Sequence, residues 1–264
     1  MKKLIAFDQD DTINITKLPL DNEMANLLKR LLDNFQVCII SGTNWEVMKK
    51  NDIDTLKQFD NVNWSNYMIM PTTGTQLWHY VGEKSTLSEN QVLDEGFKRE
   101  YAYFLSNEQV DKIVFAIEKA AKELGYWCEN PAGEIIENRG SQVTFSALGQ
   151  WATPEDKHAW DQDMKKRKAI VNQIQPVLDE LGVQVGIGGA TSIDVTLPGI
   201  DKAYGMKRLL EHTGLSKEDI LFIGDKLQPG GNDYPVKSFG IDTIEVKNAE
   251  DTKWILKGIL EVSK

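Results

Sequence analysis

Carboxylates directly follow a short apolar run near the start of the chain. Residues 4–7 are apolar, and Asp8, Asp10 and Asp11 come immediately after them. A short apolar run predicts a buried central strand, and open α/β sheets place their ligand sites at the carboxyl ends of such strands. Asp8 and Asp10 share one face of an extended chain. A hard cation such as Mg²⁺ would remove the repulsion between them and takes oxygen ligands.

Two further strand ends carry polar residues. The apolar run at 36–40 ends in Ser41-Gly42-Thr43, and a helix is predicted over residues 44–50. A hydroxyl and a glycine between a strand and a helix are typical of an anion site at a helix N-terminus, although they also make an ordinary helix cap. The run at 221–223 leads through Gly224 into Asp225, which repeats the pattern of the first strand.

Residues 8–12, with the pattern Asp-x-Asp-x-Thr, resemble the first motif of the haloacid dehalogenase superfamily of phosphotransferases. The resemblance implies that Asp8 is the nucleophile that forms an aspartyl phosphate and that Asp10 is the general acid and base. It also implies that Ser41, or Thr43 as the alternative, binds the phosphoryl oxygen and that Lys202, at a predicted helix start, stabilises the charge of the nucleophile. Asp225 matches the acidic motif near the C-terminus of the family.

The same resemblance implies a Mg²⁺ site. Its ligands would be the Asp8 carboxylate, the main-chain carbonyl of Asp10 and the Asp225 carboxylate. Asn232 and Asp233 would support the loop, with Asp233 either outside the ligand set or a ligand through water. Mg²⁺ is therefore the expected cofactor.

A closer resemblance, to the eukaryotic-type phosphomannomutases, covers roughly residues 139–233. It is carried by Gly224-Asp225-Lys226-x-x-Pro-Gly-Gly-Asn232-Asp233, by the Gly-Gly-x-x-Ser-x-Asp pattern at 188–194 and by a weaker segment at 139–149. It implies that the cap binds the substrate. The implied substrate contacts are Gly42, Arg139, Gln150, Ser192 and Asp194.

Three positions depart from the mutase pattern. Gln150, Lys17 and Ala132 stand where that pattern has arginines, and arginine is the residue suited to bidentate phosphate recognition. The loop after Asp233 is also shorter than in the mutase pattern. The sequence therefore predicts a Mg²⁺-dependent phosphohydrolase acting on a small phosphorylated metabolite, most simply a sugar phosphate. A phosphomannomutase is the alternative, and a sugar-phosphate-binding protein without turnover is a further one.

The order of apolar runs predicts an α/β protein with a Rossmann-like parallel-sheet core and an inserted α+β cap. The predicted domains are residues 1–84 (core), 85–196 (cap) and 197–264 (core). In the cap we expect helices at 89–105 and 108–124, strands at 126–129, 134–138, 142–146, 184–187 and 192–196, and a charged then helical segment at 152–181. Trp151, beside Gln150, is a candidate for stacking on a sugar.

Bulk composition excludes several classes of partner. The net charge is −10, which argues against nucleic acid, and no apolar segment approaches the length of a membrane span. The two cysteines lie far apart and have no zinc-site spacing, so we expect a soluble, cytoplasmic protein. The expected partner is a small phosphorylated molecule, and a homodimer formed through the cap is left as an open alternative.

Overall fold

The structure, a computed structural model, describes residues 2–83, 85 and 91–263. The chain divides into two compact units: residues 1–102 with 200–264, and residues 103–199. We call them the core unit and the cap unit. The predicted α/β class is confirmed. The division differs from the predicted first boundary after residue 84, because the strands between residues 92 and 102 belong to the core sheet.

The core unit is built on an eight-stranded mixed sheet with the order β12-β11-β1-β2-β3-β4-β6-β5. The first five strands in this order run parallel, and the last three are added antiparallel. The strands are β1 (Leu4–Asp8), β2 (Gln36–Ile40), β3 (Tyr67–Met70), β4 (Gln76–Tyr80), β5 (Val92–Asp94), β6 (Phe97–Ala102), β11 (Ile220–Gly224) and β12 (Asp242–Glu245).

Strand β1 lies between β11 and β2 and is buried along its whole length. A parallel strand covered on both faces reads as a continuous apolar run, which is why residues 4–7 carry no polar alternation. Leu4 pairs with Ile220 on one side, and Asp8 pairs with Ile40 on the other. This register brings the carboxyl ends of the three strands to one edge of the sheet.

The helix predicted at 89–105 is wrong over its described part, and residues 89 and 90 lie outside the described residues. Strands β5 and β6 form a hairpin instead, with Glu95 (φ 49°) and Gly96 (φ 86°) at the turn. Two successive residues with positive φ are the signature of a type I′ turn, which matches the twist of the flanking strands. The apolar residues of this segment pack across strands, as Phe97 does against Tyr80 at a centroid distance of 5.3 Å.

Six α-helices belong to the described part of the core unit. Asp21 caps the first of them, accepting a hydrogen bond from the Met24 N–H at 2.8 Å. Among the described residues, no helix is long and apolar enough to span a membrane. The core helices are α1 (Asn22–Leu32), α2 (Trp45–Met48), α3 (Asp54–Leu56), α7 (Lys202–Thr213), α8 (Tyr234–Phe239) and α9 (Ala249–Val262).

The cap unit is a four-stranded antiparallel sheet with the order β7-β8-β10-β9. Its apolar face forms a separate core with the helices. The predicted strand at 126–129 is wrong, because this segment is irregular; the segment at 152–181 contains two helices. The elements are α4 (Asn107–Glu123), β7 (Ile136–Asn138), β8 (Gln142–Ser146), α5 (Pro154–Trp160), α6 (Lys165–Leu181), β9 (Gln184–Gly188) and β10 (Ser192–Thr196).

Candidate active site

Lys202, the first residue of α7, joins two buried carboxylates. Its Nζ donates to Asp8 Oδ1 and, at 2.5 Å, to Asp233 Oδ1. Burial alone would lower the pKa of Lys202, but the two carboxylates hold it above its ordinary value. Burial raises the pKa of Asp8 to about 7, with Lys202 opposing the rise and Asp233 adding to it. The ammonium group is thus fixed beside the carboxylate that ends β1.

The loop after β11 positions Asp233 by backbone contacts. The Lys226 N–H donates to Asp233 Oδ2 at 3.0 Å, and the Asp233 N–H donates to the Lys226 carbonyl at 3.2 Å. Gly231 is required sterically, because a Cβ there would lie 2.1 Å from the Lys226 carbonyl oxygen. The Pro-Gly-Gly segment therefore allows the chain to fold back and return Asp233 to the strand end.

Asp8, Asp225 and Asp233 form an acidic cluster in which one carboxylate oxygen from each residue lies within 4.8 Å of the other two. Asp225 Oδ2 accepts from Lys226 Nζ at 2.6 Å, whereas its Oδ1 is buried without a hydrogen-bond partner in the described part of the chain. A buried unsatisfied oxygen beside two carboxylates is a donor set that fits a hard divalent cation. Asp233, assigned from the sequence to a supporting position, lies as close as the two predicted ligands.

Asp10 lies in a tight loop just past β1. Its Oδ1 accepts a hydrogen bond from the Lys17 N–H at 2.9 Å. Burial raises the pKa of Asp10, although the hydrogen bond from Lys17 acts in the opposite direction. The neighbouring Asp11 has a left-handed backbone (φ 62°), which turns the chain. A raised pKa favours the protonated carboxyl group, which is the form that donates a proton.

Ser41 follows β2 and is buried beside the same sheet edge. Its Oγ accepts from the Thr43 N–H at 3.1 Å, and Gly42 lies between them. The residue that caps the next helix is Asn44, whose Oδ1 accepts from the Val47 N–H at 3.0 Å. The regular helix α2 is shorter than the predicted 44–50, because a π-helical turn, Lys49–Ile53, interrupts it.

In the cap unit, Asp194 lies on the polar face of the sheet. Its Oδ1 accepts from Gln142 Nε2 and from Thr144 Oγ1, both at 2.8 Å. Burial raises the pKa of Asp194, against the hydrogen bond from Thr144. Ser192 lies two residues earlier on β10 and therefore on the same face, opposite Ser146 of β8. The two predicted substrate contacts thus share one polar surface.

The other predicted cap residues are placed differently. Arg139 Nη2 donates to Glu137 Oε2 at 2.8 Å. Gln150 is held by its main chain, since its N–H donates to the Glu134 carbonyl at 3.1 Å. Trp151 is 61% exposed and lines a cavity of about 430 Å³ that also includes Ala132.

Comparison with known proteins identifies the family. The family model for eukaryotic phosphomannomutase matches residues 24–262. The chain belongs to the eukaryotic phosphomannomutase family. It is similar to the phosphomannomutase of Drosophila melanogaster, with 26% identity over 267 residues that cover 98% of this chain and 96% of the relative. It is also similar to phosphomannomutase 2 of Dictyostelium discoideum, with 25% identity over 237 residues covering 88% and 86%.

Solved structures share the fold of this family member at low identity. A point mutant of the IMP-nucleotidase of Plasmodium falciparum, bound to IMP, superposes with a TM-score of 0.67 at 18% identity, covering 99% of this chain and 67% of that one. A haloacid dehalogenase-like hydrolase of Bacteroides thetaiotaomicron gives a TM-score of 0.63 at 14% identity, covering 99% and 100%. These neighbours confirm the haloacid dehalogenase fold.

Some polar contacts of this member of the phosphomannomutase family were not predicted from its sequence. Gln142 and Thr144 could have been found, because the alternation of β8 places them on the face of Asp194. The pairing of Gln9 Nε2 with the Asp52 carboxylate, at 2.9 and 3.1 Å, had no such signal. It joins a loop to a helix distant in sequence.

Proposed function

We propose that this protein is a sugar-phosphate phosphomutase of the phosphomannomutase type, which works through an aspartyl phosphate on Asp8. The observation that carries the proposal is the buried bridge from Lys202 to Asp8 and Asp233, with Asp225 beside it. Phosphoryl transfer depends mainly on positioning and charge neutralisation, and this arrangement supplies both. The family match over residues 24–262 supports a hexose phosphate as the substrate class.

The transfer takes place in two balanced steps. A carboxylate oxygen of Asp8 bonds to a phosphorus atom of a hexose bisphosphate while the bond from that phosphorus to the sugar oxygen breaks, and Asp10 gives its proton to the leaving oxygen, so that a hexose monophosphate remains. A hydroxyl of a bound hexose monophosphate then bonds to phosphorus while the bond from phosphorus to Asp8 breaks, and Asp10 takes the hydroxyl proton. Lys202 neutralises charge in both steps, and Ser41 holds a phosphoryl oxygen.

The acidic cluster is the proposed Mg²⁺ site. Asp8, Asp225 and Asp233, with the main-chain carbonyl of Asp10, would hold the ion. When bound, Mg²⁺ neutralises the clustered carboxylates and the phosphoryl oxygens that approach them.

A phosphohydrolase is the second candidate, and the cap unit favours it. A mutase must hold a second phosphate, yet Gln150 and Ala132 replace two arginines of the mutase pattern, and Arg139 already donates to Glu137. In a hydrolase, Asp10 would take the proton from water instead of from a sugar hydroxyl. Only one phosphate would then need to be bound.

The deciding experiment follows both products in one reaction. The protein is incubated with mannose 1-phosphate or glucose 1-phosphate, a hexose 1,6-bisphosphate activator and either Mg²⁺ or EDTA, and ³¹P NMR measures hexose 6-phosphate and inorganic phosphate. We expect Mg²⁺-dependent formation of the 6-phosphate. Release of inorganic phosphate alone would establish the hydrolase, and the absence of both products would leave the non-catalytic binding protein.

The Asp8→Asn variant tests the nucleophile. It should lose at least about 10⁴-fold in turnover, because a neutral amide cannot form the aspartyl phosphate. Asp11→Asn is the matched control, since Asp11 Oδ1 accepts a loop N–H, from Thr16 at 3.2 Å, and an asparagine oxygen can do the same. Equal losses in the two variants would contradict the assignment of Asp8.

A further inference from the structure

A π-helical turn, Lys49–Ile53, interrupts the helical segment after Ser41 and carries a buried acid. Asp52 is 0% exposed within this turn. Turns of this kind inside helices are rare and occur frequently at functional sites. An unpaired buried carboxyl group is costly, so the contacts of Asp52 need an explanation.

Asp52 contacts the loop that carries the nucleophile. Gln9 Nε2 donates to both of its oxygens, at 2.9 and 3.1 Å, and Gln9 itself is 1% exposed. Gln9 stands between Asp8 and Asp10 in the chain. Its carbonyl accepts hydrogen bonds from the N–H groups that follow it, including that of Ile13 at 2.9 Å. Fixing the Gln9 side chain therefore fixes the start of the loop.

The same π-helical turn also holds the far end of this loop. The Asn51 carbonyl accepts from the Leu20 N–H at 3.1 Å, and Asn51 Nδ2 donates to the Lys17 carbonyl at 3.4 Å. The Lys17 N–H in turn donates to Asp10 Oδ1. Two neighbouring residues of one turn thus contact both ends of the segment that contains Asp8 and Asp10.

We propose that Asp52 is a positioning residue, which acts through Gln9 to hold the Asp8 and Asp10 carboxyl groups in register for phosphoryl transfer. This inference rests on the function proposed above. This positioning role requires only that Asp52 accepts a hydrogen bond from Gln9. A small displacement of the reacting groups slows the chemical step much more than it weakens substrate binding. The expected effect is therefore on kcat.

The test compares Asp52→Ala, Asp52→Asn and Thr55→Val. Asparagine keeps an acceptor for Gln9 Nε2, whereas alanine removes it. Thr55 is the matched control: it is a buried polar residue of the same helical segment, and its Oγ1 donates to the Asn51 carbonyl at 3.0 Å. We expect Asp52→Ala to lower kcat by about 30- to 100-fold with KM changed less than about threefold, while Asp52→Asn and Thr55→Val stay within about threefold of wild type.

A second measurement requires no turnover. Binding of Mg²⁺ with beryllium trifluoride, an analogue of the phosphoryl group on a carboxylate, is followed by ¹⁹F NMR, and Asp52→Ala should weaken it about tenfold or more. Wild type that binds the analogue but transforms no sugar phosphate would defeat the proposed function and still test the positioning role. Gln9→Leu, which keeps the side-chain volume, should reproduce the loss if the alanine variant does not fold.

Three results would overturn the proposal. The first is an Asp52→Ala protein with wild-type kcat and wild-type binding of the analogue. The second is an Asp52→Asn protein as impaired as Asp52→Ala, because the hydrogen bond would then not be the relevant contact. The third is wild-type protein that fails to bind the analogue, since no nucleophile would then be in position.

Discussion

Asp8 and Asp233 of the core unit and Asp194 of the cap unit, the acids assigned to the candidate site, have different kinds of partner. In the core unit, the Lys202 ammonium lies against Asp8 and Asp233. In the cap unit, Asp194 accepts hydrogen bonds from the neutral side chains of Gln142 and Thr144. An ion pair suits a site at which a charged phosphoryl group is transferred, whereas hydrogen bonds from neutral side chains suit a site that distinguishes hydroxyl groups. From this comparison we expect substitutions at Asp8 or Lys202 to change mainly kcat and substitutions at Asp194 to change mainly KM.

Removing the core cation should give the largest effect. We expect Lys202→Met to lower kcat by about 10²- to 10³-fold, because it removes a fixed charge from the transfer site. It should also lower the free energy of unfolding by about 3–5 kcal/mol in EDTA, since two buried carboxylates lose their partner. Denaturant titrations with and without Mg²⁺ measure this, and Mg²⁺ should recover part of the loss.

Lys226→Met is the control for that variant. Lys226 pairs with Asp225, but its side chain is 48% exposed, and exposed ion pairs contribute only about 0–1 kcal/mol. Equal losses of kcat in the two lysine variants would contradict the catalytic role assigned to Lys202.

The cap network should affect binding more than chemistry. Asp194→Ala should raise KM by about tenfold and change kcat less than about threefold, because a lost hydroxyl contact costs about 1–3 kcal/mol. Initial rates over a range of substrate concentrations separate the two. Asp163→Asn is the control, because its side chain is 56% exposed. A fall in kcat alone for Asp194→Ala would contradict the division between the two units.

Restoring an arginine should shift the product ratio by a smaller amount. Gln150→Arg should raise the ratio of hexose 6-phosphate to inorganic phosphate about three- to tenfold, because a guanidinium group can bind a second phosphate through two hydrogen bonds. Gln150→Lys adds the charge without that geometry and should have less effect. An unchanged ratio in both variants would mean that the cap does not decide between the mutase and the hydrolase.

The smallest effect is a pair of opposite pH dependences of stability. Burial raises the pKa of Asp52 to about 8, so the folded core unit keeps a proton that the unfolded chain releases, and stability falls as pH rises from about 4 to 8. Burial alone would raise the pKa of Asp161, but hydrogen bonds from Arg167 and the backbone lower it. Its contribution is present above about pH 4 and lost in acid.

Thermal unfolding from pH 3 to 9 tests this pair. Asp52→Asn should flatten the decline from about pH 4 to 8, and Asp161→Asn should flatten the loss in acid. The comparison uses the shape of each curve, because both substitutions also shift its level. The same shape for both variants would contradict the two assignments.

Much of the fold was predictable because its signals are local. The buried strands β1, β2 and β11 were predicted as apolar runs, and helix α4 was predicted at 108–124. The β5–β6 hairpin was wrongly predicted as a helix. Its structure depends on a type I′ turn at Glu95-Gly96, which apolar spacing does not indicate. For the same reason, the first domain boundary was predicted after residue 84, whereas the first segment of the core unit ends at residue 102.

The sequence by itself determined which side chains are available for chemistry and which strand ends carry them. Asp8 and Asp225 follow apolar runs, and parallel strands expose such ends at one edge. Only the tertiary structure decided that Asp233 completes the acidic cluster and that Gln9 meets Asp52, and it supplied the contact of Lys202 with Asp8, across 194 positions, that the family resemblance had implied. Such contacts depend on strand order, on a loop that folds back and on a π-helical turn. None of these leaves a periodic pattern in the chain, so a linear sequence does not reveal them.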